Sequence, residues 1–264
     1  MSQRDSALWR FPGLGLNMAA ALVFLYLPIV LLVLLSFNQN KVATMWTGFT
    51  THWYDVVFDN PNILRATRNS ALVAITATLV STLFATMAAL AMAGRTFKLQ
   101  GVISGMLGLP LLVPEIVTAV ASLLFFLALG MDLGLSTVMI AHIVFCIPFA
   151  YMPIRARLEG MDPRLVEAAS DLYASPWHAF RRVTLPLLMP GIISGAMLAF
   201  IVSLDDFVIT FFVAGPGATT LPVYIFGMVR MGITPEVNAL ASLLLVASMG
   251  FVGLSWWIGQ RDRS

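Results

Sequence analysis

Six stretches of the chain are long and apolar enough to cross a hydrocarbon layer as helices: roughly residues 17 to 37, 70 to 92, 103 to 129, 136 to 154, 188 to 213 and 237 to 258. About 20 residues at 1.5 Å rise cover roughly 30 Å. Lipid offers no hydrogen bonds to a backbone, so every N–H and C=O within such a stretch must be satisfied inside the protein, and helices do this locally. The composition agrees, with 59% hydrophobic and 11% charged residues, against about 25% charged in an ordinary soluble domain. The expected fold is an all-α membrane protein, one domain over residues 1–264 with six transmembrane helices. Pro110 and Pro114 lie inside the third stretch and predict a break there, because proline removes a backbone donor.

Lys and Arg set the orientation. With the N-terminus inside, eleven of the fifteen fall on inner segments and only Lys41, Arg65, Arg68 and Arg230 fall outside. Both termini are therefore expected in the cytoplasm, and the net charge of +2 reflects topology, not affinity for nucleic acid. The basic start and first apolar run resemble an export signal, but the run is too long and no small-residue cleavage pattern follows. The single cysteine, Cys146, falls in the fourth span, which excludes an internal disulfide and reads as packing. His52, His142 and His178 lack metal-ligand spacing; they read as an interface residue, a buried hydrogen-bonding residue and a surface residue. No glycine-rich loop ends in Gly-Lys-Ser/Thr, and the only lysines are Lys41 and Lys98, so the chain is not expected to hydrolyse ATP or hold a cofactor. Neither tandem repeats nor matching halves are visible. A lone six-span bundle is small for a complete transporter, which suggests a paired subunit.

Residues 155–187 form an inner segment between spans four and five. Asp162-Pro163 and Ser175-Pro176 each pair a side-chain acceptor with a residue of preset φ, which is the chemistry of a helix start. Two short helices are expected, the first from Pro163 to about Leu172, joined at an elbow near Tyr173 and Ala174. Ala168 and Ala169 permit close approach, Glu167 offers an acceptor, and Leu165, Val166, Leu172 and Trp177 supply apolar area. Such a knob suits docking by shape. The residues alone equally fit an amphipathic surface loop that only links two spans.

Three acids fall within spans: Glu115, Asp205 and Asp206. A carboxylate at the bilayer centre costs about 2.5 to 3.5 kcal/mol on insertion scales, so such groups face a bundle interior or a water-filled path. Counting by threes and fours puts Asp206 on a small, polar stripe with Gly191, Gly195, Ala199, Ser203 and Thr210, and Asp205 on a greasy face with Ile201, Val202, Val208, Ile209 and Phe212. Asp206 is the better pathway residue, with an interhelical hydrogen bond or a protonated carboxyl as the structural alternative. Glu115 follows Pro114 in the broken third span, where freed carbonyls and a carboxylate together suit an ammonium group or a neighbouring helix. An intramembrane aspartyl hydrolase also needs two acids, but across a gap between elements, and Asp205 and Asp206 are chain neighbours. Outside, Trp46, Phe49, Trp53, Tyr54 and Phe58 fit an aromatic belt, or less commonly a surface for ammonium ions. Residues 215–222 read as an outer turn before a short helix ending near Met231.

The ordered motifs are Glu167-Ala168-Ala169 followed by Leu185-Pro186, then Ser203-Leu204-Asp205-Asp206-Phe207-Val208-Ile209, Gly215-Pro216-Gly217-Ala218-Thr219-Thr220-Leu221-Pro222, and Arg230-Met231-Gly232 before Pro235-Glu236-Val237-Asn238-Ala239. Together they resemble the permease subunits of bacterial binding-protein-dependent ABC importers, and more narrowly the spermidine/putrescine group. The resemblance covers nearly the whole chain. It implies a type I importer permease fold in a bacterial inner membrane, moving polyamines inward by ATPase-driven alternating access. It also implies ATPase coupling through Glu167, Ala168, Ala169, Leu172, Tyr173, Leu185 and Pro186. The implied partners are an ABC ATPase dimer, a second homologous permease, a periplasmic polyamine-binding protein and membrane lipid, with no nucleic acid. Ferric ion, thiamine or an oxyanion are alternative cargoes, although carboxylates in the path disfavour an anion. One position departs from the family, which usually has glycine where this chain has Tyr173. If the elbow requires a left-handed backbone, a tyrosine there costs about 1 to 2 kcal/mol.

Overall fold

The computed structural model describes residues 14–42, 45–93, 98–162 and 164–261, and the side chains among them from 15 to 250. The basic residues Arg4, Arg10, Arg95 and Arg263, used above for orientation, and Pro163 lie outside the described residues. The chain divides into two compact units, residues 1–61 with 227–264, and residues 62–226.

The first unit holds α1 (Leu14–Leu35), α2 (His52–Asp59) and α12 (Pro235–Arg261), with α12 packed against both α1 and α2. α1 is apolar all round and the hydrophobic window Gly15–Leu35 buries none of its length, as suits a helix whose solvent is lipid. The loop after it folds on Asn38, which is fully buried. Its Nδ2 donates to the Met45 carbonyl at 2.8 Å, its Oδ1 accepts from the N–H groups of Asn40 and Thr47 at 3.2 Å each, and its own carbonyl accepts from Trp53 Nε1 at 2.7 Å. Tyr54 pairs its hydroxyl with Ser36 Oγ at 2.7 Å, and Phe49 stacks on Phe37 with ring centroids 5.2 Å apart. Three of the five outer aromatics thus hold their own loop together, while Trp46 and Phe58 stay more than half exposed.

The second unit is built from α3 (Pro61–Met92), α4 (Gln100–Leu112), α5 (Glu115–Ala128), α6 (Leu135–Glu159), α7 (Arg164–Asp171), α8 (Pro176–Ala179), a π-helical turn (Phe180–Thr184), α9 (Leu185–Asp205) and α10 (Val208–Val213). A further helix, α11 (Leu221–Met231), ends where the sequence suggests. Among the described residues no strand forms; Asn38 and Phe49 make an isolated bridge. Among the described residues four helices are long and apolar enough to cross a membrane, and a fifth crossing results if α4 and α5 count together. These two meet at 111° across Val113 and Pro114, which is the break that the two prolines predict. α12 covers the sixth expected span.

α6 and α9 make an extensive helix pair. Lipid removes the hydrophobic drive between helices, so close van der Waals fit must hold them, and small residues permit it. Gly191, Gly195, Ala199 and Ser203 are all buried on α9 and face a core of Cys146, Ala150 and Ile154 from α6 with Ala77, Ala85 and Ala89 from α3. At Gly195 a Cβ would stand 2.5 Å from the Ala150 carbonyl oxygen, a backbone atom that cannot step aside alone. Gly195→Val is therefore expected to destabilise the protein by about 1 to 3 kcal/mol or more, read as a lower unfolding temperature in detergent. An unchanged temperature would mean that α6 and α9 are not held by this contact.

The fifth expected span, 188 to 213, is not one helix. It stops at Asp206, whose φ of −61° and ψ of 126° are extended, and resumes in α10. The stripe counted from Gly191 to Ser203, with Asp206 and Thr210, is buried throughout. The chain turns at Asp206, and Ile209, expected on the face of Asp205, is fully buried as well.

Candidate transport site and coupling segment

The break at Asp206 gathers polar groups from three helices. Asp206 lies just before α10 and caps it: Oδ1 accepts from the Ile209 N–H at 3.2 Å, and Oδ2 from the Thr210 N–H at 3.0 Å and the Thr210 hydroxyl at 3.1 Å. From α6, His142 Nε2 stands 3.1 Å from Asp206 Oδ2 and 2.9 Å from Thr210 Oγ1, and its Nδ1 is 2.8 Å from Ser203 Oγ on α9. All four residues are buried. Glu115 opens α5 directly after Pro114, and α5 packs on α10, which puts its carboxyl within electrostatic range of Asp206 and Asp205. The two helix breaks, one after Pro114 and one at Asp206, thus bring together the three acids singled out from sequence. Asp206 is inside this group, whereas Asp205 and Glu115 are exposed. A set of carboxylates with free lone pairs on one side and fixed donors on the other can receive a cation's N–H groups.

Sequence reasoning identified His142 as a buried hydrogen-bonding residue but did not connect it with Asp206. One signal was available. His142, Ser203, Asp206 and Thr210 interrupt otherwise apolar helices, and buried polar groups need partners.

The second locus is the segment between α6 and α9. The Asp162 carboxylate accepts from the Arg164 N–H at 3.0 Å at the entry of α7, and Ser175 caps α8 through the His178 N–H at 3.4 Å. Between them Tyr173 has φ +57°, the only non-glycine residue of positive φ among those described. Its N–H donates to Ser170 O at 2.9 Å, and that of Ala174 to Ala169 O at 3.1 Å. This pair of bonds is a Schellman motif with tyrosine at the position that favours glycine. The elbow thus uses the backbone conformation that makes tyrosine costly. Tyr173→Gly is expected to stabilise the elbow by about 1 kcal/mol, and ATPase co-purification should be kept or improved. A clear loss of that co-purification would contradict this account of the turn.

The segment leaves apolar area uncovered, with Tyr173 98% and Leu172 82% exposed and Leu165, Val166 and Trp177 also on the surface. Glu167 and Ala168 are exposed and Ala169 half-buried. Trp177, His178, Arg181 and Arg182 line an adjoining cavity of about 370 Å³. Leu185 and Pro186 are the first residues of α9. From Pro176 to Asp205 the chain is continuous helix over 30 residues, through α8, the π-helical turn and α9. At 1.5 Å per residue this rod is about 45 Å long. One end stands at the elbow and the other at the acid cluster. Arg157 Nε, donating to the Leu187 carbonyl at 2.9 Å, ties the end of α6 to the rod.

The model of the family described as binding-protein-dependent transport system inner membrane component matches residues 81–259. The chain belongs to this family. Family membership makes it an inner-membrane permease with several apolar helices. It is 40% identical to the spermidine/putrescine transport system permease protein PotC of Escherichia coli K12, over 94% of this chain and 93% of that one. It is 41% identical to the putrescine transport system permease protein PotI of the same strain, with 90% and 87% covered. Among solved structures it resembles a bacterial ABC transporter involved in import of the acidic polysaccharide alginate, at TM-score 0.70 and 16% identity over 99% of this chain and 98% of that one. The methionine transporter MetNI, in an inward-facing form, matches at TM-score 0.62 and 20% identity over 75% and 93%. These likenesses show the ABC importer permease fold.

Proposed function

We propose that this chain is one permease subunit of an ABC importer that carries putrescine or spermidine into the cytoplasm. The observation that carries the cargo is the 40% identity, over nearly the full length of both chains, to a spermidine/putrescine permease. The acid cluster supports a cation and disfavours an anion, which an uncompensated carboxylate repels. The excess of Lys and Arg on the inner segments supports six spans with both termini in the cytoplasm.

Energy comes from a separate ATPase pair, which grips the inner segment of residues 155–187 at its elbow. Glu167, Ala168, Ala169, Leu172 and Tyr173 present the docking surface, and Leu185 and Pro186 begin the rod that relays its motion. The ATPase can shift the transporter between inward- and outward-open forms only by binding the two elbow positions unequally. Since the rod is continuous helix, displacement at the elbow reaches the break at Asp206, where α9 gives way to α10. Polyamines arrive from a periplasmic binding protein, and their ammonium groups pass along Glu115, Asp205 and Asp206 between this subunit and a second, related permease.

Cargo is tested by uptake of labelled putrescine into proteoliposomes holding the assembled complex and its binding protein, in competition with excess spermidine, thiamine, ferric ion or sulfate. Spermidine is expected to compete and the others are not. Competition by one of the others without spermidine would reassign the cargo.

A further inference from the structure

We propose that His142 is a positioning residue for the cation route, holding the Asp206 carboxylate so that one oxygen is fixed by the protein and the other is kept for cargo. The inference rests on the reading of Asp206 as part of that route. It goes beyond that reading by assigning a role to a residue on another helix that no cargo needs to touch.

The geometry constrains the ring completely. Both nitrogens are engaged, Nδ1 with Ser203 Oγ and Nε2 with Thr210 Oγ1 and Asp206 Oδ2. A neutral ring satisfies these partners when Ser203 donates to Nδ1 and Nε2 carries the proton. His142 is 1% exposed, and the three residues it meets are 5% exposed or less, so water does not offer substitute bonds. The result is a bridge from α6 to both sides of the α9–α10 break.

The consequence falls on the two carboxylate oxygens unequally. Oδ2 is surrounded by His142 Nε2, the Thr210 N–H and the Thr210 hydroxyl. Oδ1 accepts one backbone N–H, from Ile209, and has a second lone pair; the side chain is 1% exposed, with the Glu115 carboxyl beside the carboxylate, so a cation reaches this oxygen only when the groups around it part. A carboxylate capped on α10 alone could tilt about that cap. With the imidazole on Oδ2, tilting breaks a charge-assisted bond in a dry site, so Oδ1 stays fixed. Charged groups near this pair are Glu115, interacting from α5, and Asp205, at the end of α9.

The test uses the complete complex in proteoliposomes and measures putrescine transported per ATP hydrolysed, beside stimulated ATPase activity and assembly. In His142→Gln the side-chain amide nitrogen reaches close to the Nε2 position and can donate to Asp206, whereas in His142→Asn it reaches only to Nδ1. Transport per ATP is expected to fall about tenfold in His142→Ala and His142→Asn and to stay within about twofold of the parent in His142→Gln. Stimulated ATPase should persist in all three. If every substitution lowers ATPase and transport in parallel, the role is architectural and the proposal fails. Should His142→Ala not assemble, Ser203→Ala decides, since it removes only the hydroxyl that holds Nδ1: a fall of about threefold in transport per ATP supports the proposal, and an unchanged value overturns it. Asp206→Asn run in parallel separates the two layers. If it lowers the ratio while the His142 variants do not, only the inference fails. If Asp206→Asn leaves the ratio intact, the pathway reading falls and the inference with it.

Discussion

Replacing residues 164–174 by a flexible Gly-Ser stretch of equal length is expected to reduce ATP hydrolysis by the assembled partners to the rate of the isolated ATPase, and to abolish ATP-driven uptake. The replaced stretch contains α7 and the Schellman turn at Tyr173. It carries much of the exposed apolar area of the segment, including Leu172 and Tyr173. A Gly-Ser chain has no fixed shape and transmits no displacement. Insertion should survive, because α6 and α9 keep their apolar lengths and their mutual core. The check is stimulated ATPase activity beside membrane content of the chain. Stimulation that persists would remove the elbow from the mechanism.

Two substitutions at Asp206 are expected to act by different routes. Asp206→Leu removes the acceptor for two backbone N–H groups of α10, for the Thr210 hydroxyl and for His142, all in a buried site. Leaving one buried donor without its acceptor costs about 1 to 3 kcal/mol, and several lose theirs together, so this variant should unfold at a much lower temperature in detergent or fail to assemble. Asp206→Asn keeps one oxygen for the cap at nearly equal volume and removes the charge. Assembly should be retained, while putrescine uptake falls by about tenfold, as for loss of a charge-assisted contact to an ammonium group. Parent-level uptake by an assembled Asp206→Asn complex would leave that carboxylate a purely architectural group.

How much of this was legible from the residues depended on the range of the interaction. Apolar length and the 3.6-residue period act within a helix, so the helical segments, the break at Pro114 and the buried stripe from Gly191 to Ser203 follow from counting. The elbow was also local: Ser175 before Pro176, and a family glycine replaced by Tyr173, pointed to a turn whose φ is indeed positive. The break at Asp206 was not legible, because Phe207 and Val208 contain no helix-breaking residue. Asp206 itself ends the helix by folding back onto the N–H groups of Ile209 and Thr210, a choice made favourable by His142 from a different helix. Polar pairing across helices has no period along the chain. For the same reason the charge of Asp206 could be read as significant from sequence, but its partner could not.

Uptake of labelled putrescine by proteoliposomes is the measurement closest to the central claim, which is that a separate ATPase drives cation passage through this bundle by pushing on its elbow. With the second permease, the ATPase pair and a loaded binding protein present, uptake should require ATP and should vanish when the ATPase is stripped away. Uptake that continues at the same rate after the ATPase is removed would contradict the account.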